Sequence, residues 1–241
     1  MTTYPQTFYA DRHARTQYAA RTVLSLLLAQ LPPIKSAVDL GCGVGTWLSV
    51  CQEQGVTEIQ GYDGAWVDPT LLVIPRNCFT PIDLSQVAVP LTKTYDLAMS
   101  LEVAEHLPET QATALVLALT TLSSIVLFSA AIPGQGGTGH VNEQWPSYWA
   151  ELFASMGYEV QDMIRLPIWR DKKIDYWYRQ NLLVFVKPGS APALEWPVLP
   201  LDVVHPELYL QHAKPGVKGS WARLTAEVRR YLRAQIGKEH P

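Results

Sequence analysis

Glycine at every second position in Val38-Asp39-Leu40-Gly41-Cys42-Gly43-Val44-Gly45-Thr46 constrains this chain more than any other run. An apolar stretch of strand composition ends in an acid, turns through the glycines and passes into a helical sequence. Without a Cβ the backbone can turn sharply and lie against a ligand. A strand, a glycine-rich turn and a helix in that order build the crevice of an open α/β sheet.

The rest of the chain supplies the sheet. Strands are expected at 37–40, 59–62, 79–82, 95–100 and 125–129, then at 159–164 and 181–186 with a long loop between those two. Near-continuous apolar runs such as 124–131 suit strands buried on both faces of a parallel sheet. Helices fill the gaps. Residues 14–31 carry Val23, Leu26, Leu27 and Leu31 at helical spacing and end at Pro32-Pro33. Thr46 is placed to cap a helix running to Gln54, with Gly55 beyond its end. Residues 109–122 and 146–156 complete the layers, the latter stopped by Gly157. The alternation predicts a doubly wound, mostly parallel α/β sheet of seven strands with helices on both faces.

Five prolines between 188 and 206 read as an extended linker. Beyond it, Ser220 is placed to cap an amphipathic helix with Trp221, Leu224, Val228, Tyr231 and Leu232 on one face. Three segments are therefore expected: an N-terminal helical cap (1–34), a central domain (35–187), and a linker with a C-terminal helix (188–241).

With 19 Lys and Arg against 22 Asp and Glu, the net charge is −3, which argues against a nucleic-acid surface. No apolar run is long enough to cross a bilayer. No basic segment followed by an apolar one opens the chain, so a cytoplasmic location is expected. Cys42, Cys51 and Cys78 show no C-x-x-C spacing, and Cys42 reads as a small buried apolar group.

The dinucleotide fingerprint requires a third glycine at position 46, where Thr46 stands, and a nicotinamide cofactor is disfavoured. An acid, Asp63, closes the second strand 20 residues after Gly43, and Asp83-Leu84 follows the third. The fourth strand ends in Ser100-Leu101 and runs into Glu102-Val103-Ala104-Glu105-His106-Leu107. Over roughly residues 35–187 these landmarks resemble the class I S-adenosylmethionine-dependent methyltransferases, whose fold is Rossmann-like.

The resemblance implies a cofactor-binding set of Asp39, Gly41, Cys42, Gly43, Gly45, Asp63, Gly64, Asp83, Leu84, Ser100 and Leu101. Asp63 would accept from both ribose hydroxyls, which is why an acid is needed there. Asp83 would accept from the adenine amine while Leu84 packs on the ring; taken alone, Asp83 reads equally as a helix cap.

On the acceptor side the resemblance implies catalytic roles for Glu105, His106 and His140, with one of the histidines as base. A hydroxyl acceptor on a small molecule is expected, giving O-methylation. Carboxylates and imidazoles also suit a divalent ion. Small-RNA terminal 2′-O-methyltransferases use a similar E-x-x-E-H run, which would make Glu102, Glu105, His106 and His140 the ligands. The metal-free reading is preferred, and nucleic acid is not the expected partner. A cofactor-binding protein without turnover is the remaining alternative.

The glycine-rich loop at 133–149 is expected to act as a lid, with Trp149 in the core and His140 toward the substrate. Trp169, Trp177, Tyr178, Gln180 and Asn181 could form an aromatic wall, and Tyr4, Phe8 and Tyr9 could cover the cofactor.

Overall fold

The computed structural model describes residues 6–86, 93–192 and 200–213, with side chains described from residue 16 onward except that of residue 86. The chain divides into two compact units, 1–203 and 204–241.

The first unit is built on seven strands: β1 (Ser36–Leu40), β2 (Glu58–Asp63), β3 (Phe79–Pro81), β4 (Leu97–Leu101), β5 (Ile125–Ser129), β6 (Glu159–Gln161) and β7 (Leu183–Val186). They lie in the order β3-β2-β1-β4-β5-β7-β6. The β1, β2, β3, β4 and β5 strands pair in parallel, and β7 runs antiparallel between β5 and β6. The order reverses between β1 and β4, where an open α/β sheet leaves a crevice at the strands' carboxyl ends.

Strand period sorts the buried residues into two cores. Ala37, Leu97, Met99, Leu127 and Val184 face α1 (Gln6–Leu28) and α2 (Thr46–Glu53). Val38, Leu40, Ala98, Val126, Phe128 and Phe185 face α3 (Ala112–Leu122) and α4 (Pro146–Ser155). Successive side chains point to opposite faces, so buried strands with helices on both sides must be apolar throughout. In the second core Phe153 stacks on Phe185, with ring centroids 3.9 Å apart and planes 8° from parallel. Trp149 is buried against Phe128, as its place in the sequence suggested.

Several boundaries differ from expectation. The first helix begins at Gln6 rather than 14 and ends at Leu28. Thr46 is the first helical residue and not the cap; Gly45, with φ +88°, makes the entry because only glycine takes that conformation without strain. β6 stops at Gln161. The long connection before β7 holds two short helices, α5 (Arg165–Ile168) and α6 (Tyr176–Asn181). Tyr178 packs edge-on against Trp47 in the first core, so it forms no open aromatic wall.

In the second unit the described residues form α7 (Pro206–Ala213), with Tyr209 and Leu210 exposed. The helix expected after Ser220, the central part of the proline-rich segment, Tyr4, and the side chains of Phe8 and Tyr9 lie outside the described residues. Among the described residues no helix is long and apolar enough to cross a membrane.

Candidate active site

A cleft of about 280 Å³ opens at the carboxyl ends of β1, β2 and β4. Gly41, Asp63, Gly64, Asp83 and Leu84 line one part of it, and Glu102, Val103 and His106 another, with Thr138 and Gly139 beside them. Residues as far apart in sequence as Gly41 and Gly139 thus meet in one place.

The glycine turn explains itself sterically. Gly41, Gly43 and Gly45 all have positive φ, at +88°, +55° and +88°. A Cβ on Gly41 would fall 2.3 Å from a Val103 methyl, and one on Gly45 would fall 2.7 Å from Ile74. At Gly43 no atom lies within 4 Å of that direction, so the turn leaves open space there.

Asp63 is anchored by this turn. Its Oδ2 accepts from the Gly43 N–H at 2.7 Å and its Oδ1 from the Gly64 N–H at 2.6 Å. Burial pushes its pKa up, and those two amides and the Trp66 indole pull against the shift by bonding the charged form. Asp39 lies deeper and fully enclosed. Burial, reinforced by Asp63, pushes it up to about 8. Its Oδ1 has no hydrogen-bond partner among the described residues.

Asp83 does two things at once. Its Oδ1 caps the turn at Leu84–Gln86 by accepting from the Ser85 amide and hydroxyl, at 2.9 and 2.6 Å, while the residue lines the cleft. Ser100 and Cys42 do not reach the cleft wall. The Ser100 hydroxyl donates to the Leu40 carbonyl at 3.0 Å and ties β4 to β1. The Cys42 sulfur lies where a Cβ on Gly61 would collide with it at 2.6 Å, and burial holds its thiol well above the ordinary range. Leu101 is buried beside them.

Across the cleft, Glu105, His106 and His140 converge. One ligand atom from each lies within 4.8 Å of the others, the one such cluster among the described residues. The Glu105 backbone carbonyl accepts from the amides of Val141 and Asn142, which straps the 133–145 loop onto the Ala104–His106 turn. His140 stands edge-on to His106, with centroids 4.9 Å apart. Its Nε2 is 4.0 Å from Glu105 Oε1 and its Nδ1 2.8 Å from Glu143 Oε1. His106 Nδ1 lies 3.3 Å from the Gly139 carbonyl.

Glu102 is turned elsewhere. With φ +56° it is the one non-glycine residue of positive φ among those described. Its carboxylate accepts from Asn181 Nδ2 and Gln135 Nε2, each at 3.2 Å. Gln180 joins these through Gln135 and Asn181. The four ligands of the disfavoured metal reading therefore come down to three that converge, with Glu102 held by an amide network.

Sequence reasoning missed Trp66, Gln135 and the role of Glu143. Trp66 lines the cleft over Gly64, and only the run Gly64-Ala65-Trp66 after the acid hinted at it.

A family model described as a methyltransferase domain matches residues 11–162. The chain belongs to the methyltransferase-domain family. The chain resembles two solved structures closely enough to share their fold. One is the SAM-bound amino pentose methyltransferase of calicheamicin biosynthesis from Micromonospora echinaspora (TM-score 0.54, 16% identity, 78% of this chain and 99% of that one). The other is a SAM-dependent methyltransferase from Archaeoglobus fulgidus (TM-score 0.54, 15% identity, 75% of this chain and 99% of that one). Among curated proteins, ribosomal RNA large subunit methyltransferase E from Hyphomonas neptunium is 35% identical over 65 residues, which span 26% of this chain and 28% of that protein.

Proposed function

We propose that this protein transfers a methyl group from S-adenosylmethionine to a hydroxyl of a small molecule. The cleft carries the reading: it sets Gly41, Asp63, Asp83 and Leu84 opposite His106. The residues suit the cofactor. Asp63 offers a carboxylate to a vicinal diol, and the turn at Gly43 leaves room beside the backbone. When bound, S-adenosylmethionine supplies an electrophilic methyl on a good leaving group.

The chain's own residues then have three tasks. Asp63, Asp83 and Leu84 fix the adenosine, and the Gly41–Gly45 turn lies along the rest. The 133–145 loop, strapped to Glu105, closes the acceptor side and limits water. His106 takes the acceptor's proton at Nε2, because Nδ1–H donation to the Gly139 carbonyl leaves that nitrogen as the acceptor. His140 backs it, held by Glu143. In this proposal residues 35–187 form the catalytic domain and 1–34 its N-terminal cap, with residues 188–241 appended, in a cytoplasmic protein.

Methyl transfer from labelled S-adenosylmethionine to a panel of hydroxyl acceptors tests this, with His106→Ala/His140→Ala as the control. Turnover unchanged in the double variant would sink the base assignment.

The convergence of Glu105, His106 and His140 supports a second reading. Their donors suit a divalent ion, and Glu143 would orient His140 as a ligand. Such an ion would lower the pKa of a ribose or alcohol hydroxyl, including an RNA 2′-hydroxyl. Turnover abolished by a chelator and restored by magnesium or manganese selects this reading over the base.

A further inference from the structure

A carboxylate only accepts, and that fixes the direction of every amide around Glu102. Gln135 Nε2 donates to its Oε2 and Asn181 Nδ2 to its Oε1. With their NH₂ groups committed, both amides turn their carbonyl oxygens inward. Buried Gln180 spends its own NH₂ on the two of them, at 3.3 Å to Gln135 Oε1 and 2.9 Å to Asn181 Oδ1. Gln135 Oε1 also accepts from Asn181 Nδ2 at 3.0 Å and from the Ile132 amide at 3.4 Å. Donors from two distant segments thus run one way and end on a single acid.

Hydrogen bonding alone does not call for the acid at position 102. Exchanging acid and amide between positions 102 and 135 would leave every one of these bonds in place. What distinguishes the two positions is the cleft. Gln135, Gln180 and Asn181 are buried, and of the four residues only Glu102 lines the cleft, where His106 stands as well. Glu102 is held there at φ +56°, in a strained conformation of the kind that collects at binding and catalytic sites. An acceptor-only, negative group in that cleft binds a donor and repels an anion.

We propose that Glu102 selects the acceptor: its carboxylate, aimed by Gln135 and Asn181, accepts from a second hydroxyl of the molecule being methylated. The acceptor class is then a diol or polyol, and a hydroxy acid is turned away. This rests on the hydroxyl-transfer reading above. Glu102 touches the substrate, whereas Gln135, Asn181 and Gln180 are positioning residues that act through it.

Methyl transfer to matched acceptors on one skeleton tests the proposal: a diol, the mono-alcohol and the hydroxy acid, as in catechol, phenol and salicylate. Wild-type kcat/KM should favour the diol over the mono-alcohol by about tenfold or more, the range for losing one bond to a charged group, with the hydroxy acid poorest. Glu102→Gln alone should lose both this preference and stability, because a donor then faces a donor. Adding Gln135→Glu restores the complementarity, so the double variant should recover the melting temperature but not the preference. A mono-alcohol used as well as the diol by wild type, or a double variant that regains the preference with its stability, overturns the proposal and leaves hydroxyl transfer intact. Should wild type methylate no hydroxyl acceptor at all, the hydroxyl-transfer reading fails, and this proposal with it.

Discussion

Glu143 Oε1 stands 2.8 Å from His140 Nδ1, and the same carboxylate accepts from the amides of Gly134 and Gly136, each at 2.8 Å. One side chain thus sets the orientation of a site histidine and fastens the glycine loop that carries it. Although partial burial opposes it, the histidine and both amides hold Glu143 below the ordinary carboxylate range. A depressed acid stabilises the fold above its unfolded pKa, and that contribution is lost as pH falls through the folded value. Loop protection measured by amide exchange should therefore be full at pH 6 and fall below about pH 4.5. In Glu143→Ala the loop should exchange fast at both pH values, and methyl transfer should drop by about tenfold or more. A loop equally protected in wild type and variant would remove the staple role.

Asp39 predicts the opposite pH behaviour. Its pKa is raised to about 8 by burial and by Asp63, so the folded protein holds a proton that the unfolded chain releases near 3.8. Folding then loses stability as pH climbs between those values. Asp39→Asn removes the ionisable group at equal size. It should raise the melting temperature by about 5 °C or more at pH 8 and much less at pH 5. A stability difference independent of pH would show that the Asp39 charge is not what the fold resists.

Two leucines on α3 separate burial from mere hydrophobicity. Leu119 is fully buried in the second core, whereas Leu117, two positions earlier, is 52% exposed. Leu119→Ala should cost about 2–5 kcal/mol in urea unfolding, from lost transfer energy and the cavity left behind. Leu117→Ala should stay within about 0.5 kcal/mol, since little apolar surface changes environment. Similar losses at the two positions would contradict the helix's rotational setting on the sheet.

The same contrast shows what was legible before folding. Strands such as Ile125–Ser129 declared themselves because burial on both faces demands an unbroken apolar run. The glycine turn, Asp63 and Asp83 were readable because their backbone or charge requirements are local and tied to strand ends. Glu102 lines the cleft as its run suggested, but its bonds to Gln135 and Asn181 could not be read from E-x-x-E-H, because those partners come from distant loops. Helices α5 and α6 are too short to leave a periodic signature, and they hold the long connection through the buried cations Arg165 and Arg179. Trp66 carried only the hint of the run after Asp63: its place in the cleft comes from lying over Gly64.

Glu102 supplies the sharpest test of the acceptor side. A non-glycine residue at φ +56° costs about 1–3 kcal/mol and persists only when its surroundings hold it. Here the amide donates to Ser129 at 2.9 Å, and both carboxylate oxygens accept from side-chain amides. Glu102→Gln keeps the shape but turns an NH₂ toward the NH₂ of Asn181 or Gln135, so a donor faces a donor. That mismatch should cost about 1–3 kcal/mol of stability and lower methyl transfer. Glu102→Gly relieves the backbone and discards the network, so it should recover part of the stability but none of the turnover. S-adenosylhomocysteine affinity should stay close to wild type in both variants, because the carboxylate is bonded into the amide network of Gln135 and Asn181. A glycine variant with wild-type turnover would mean that the carboxylate in its amide cradle is dispensable to the acceptor site.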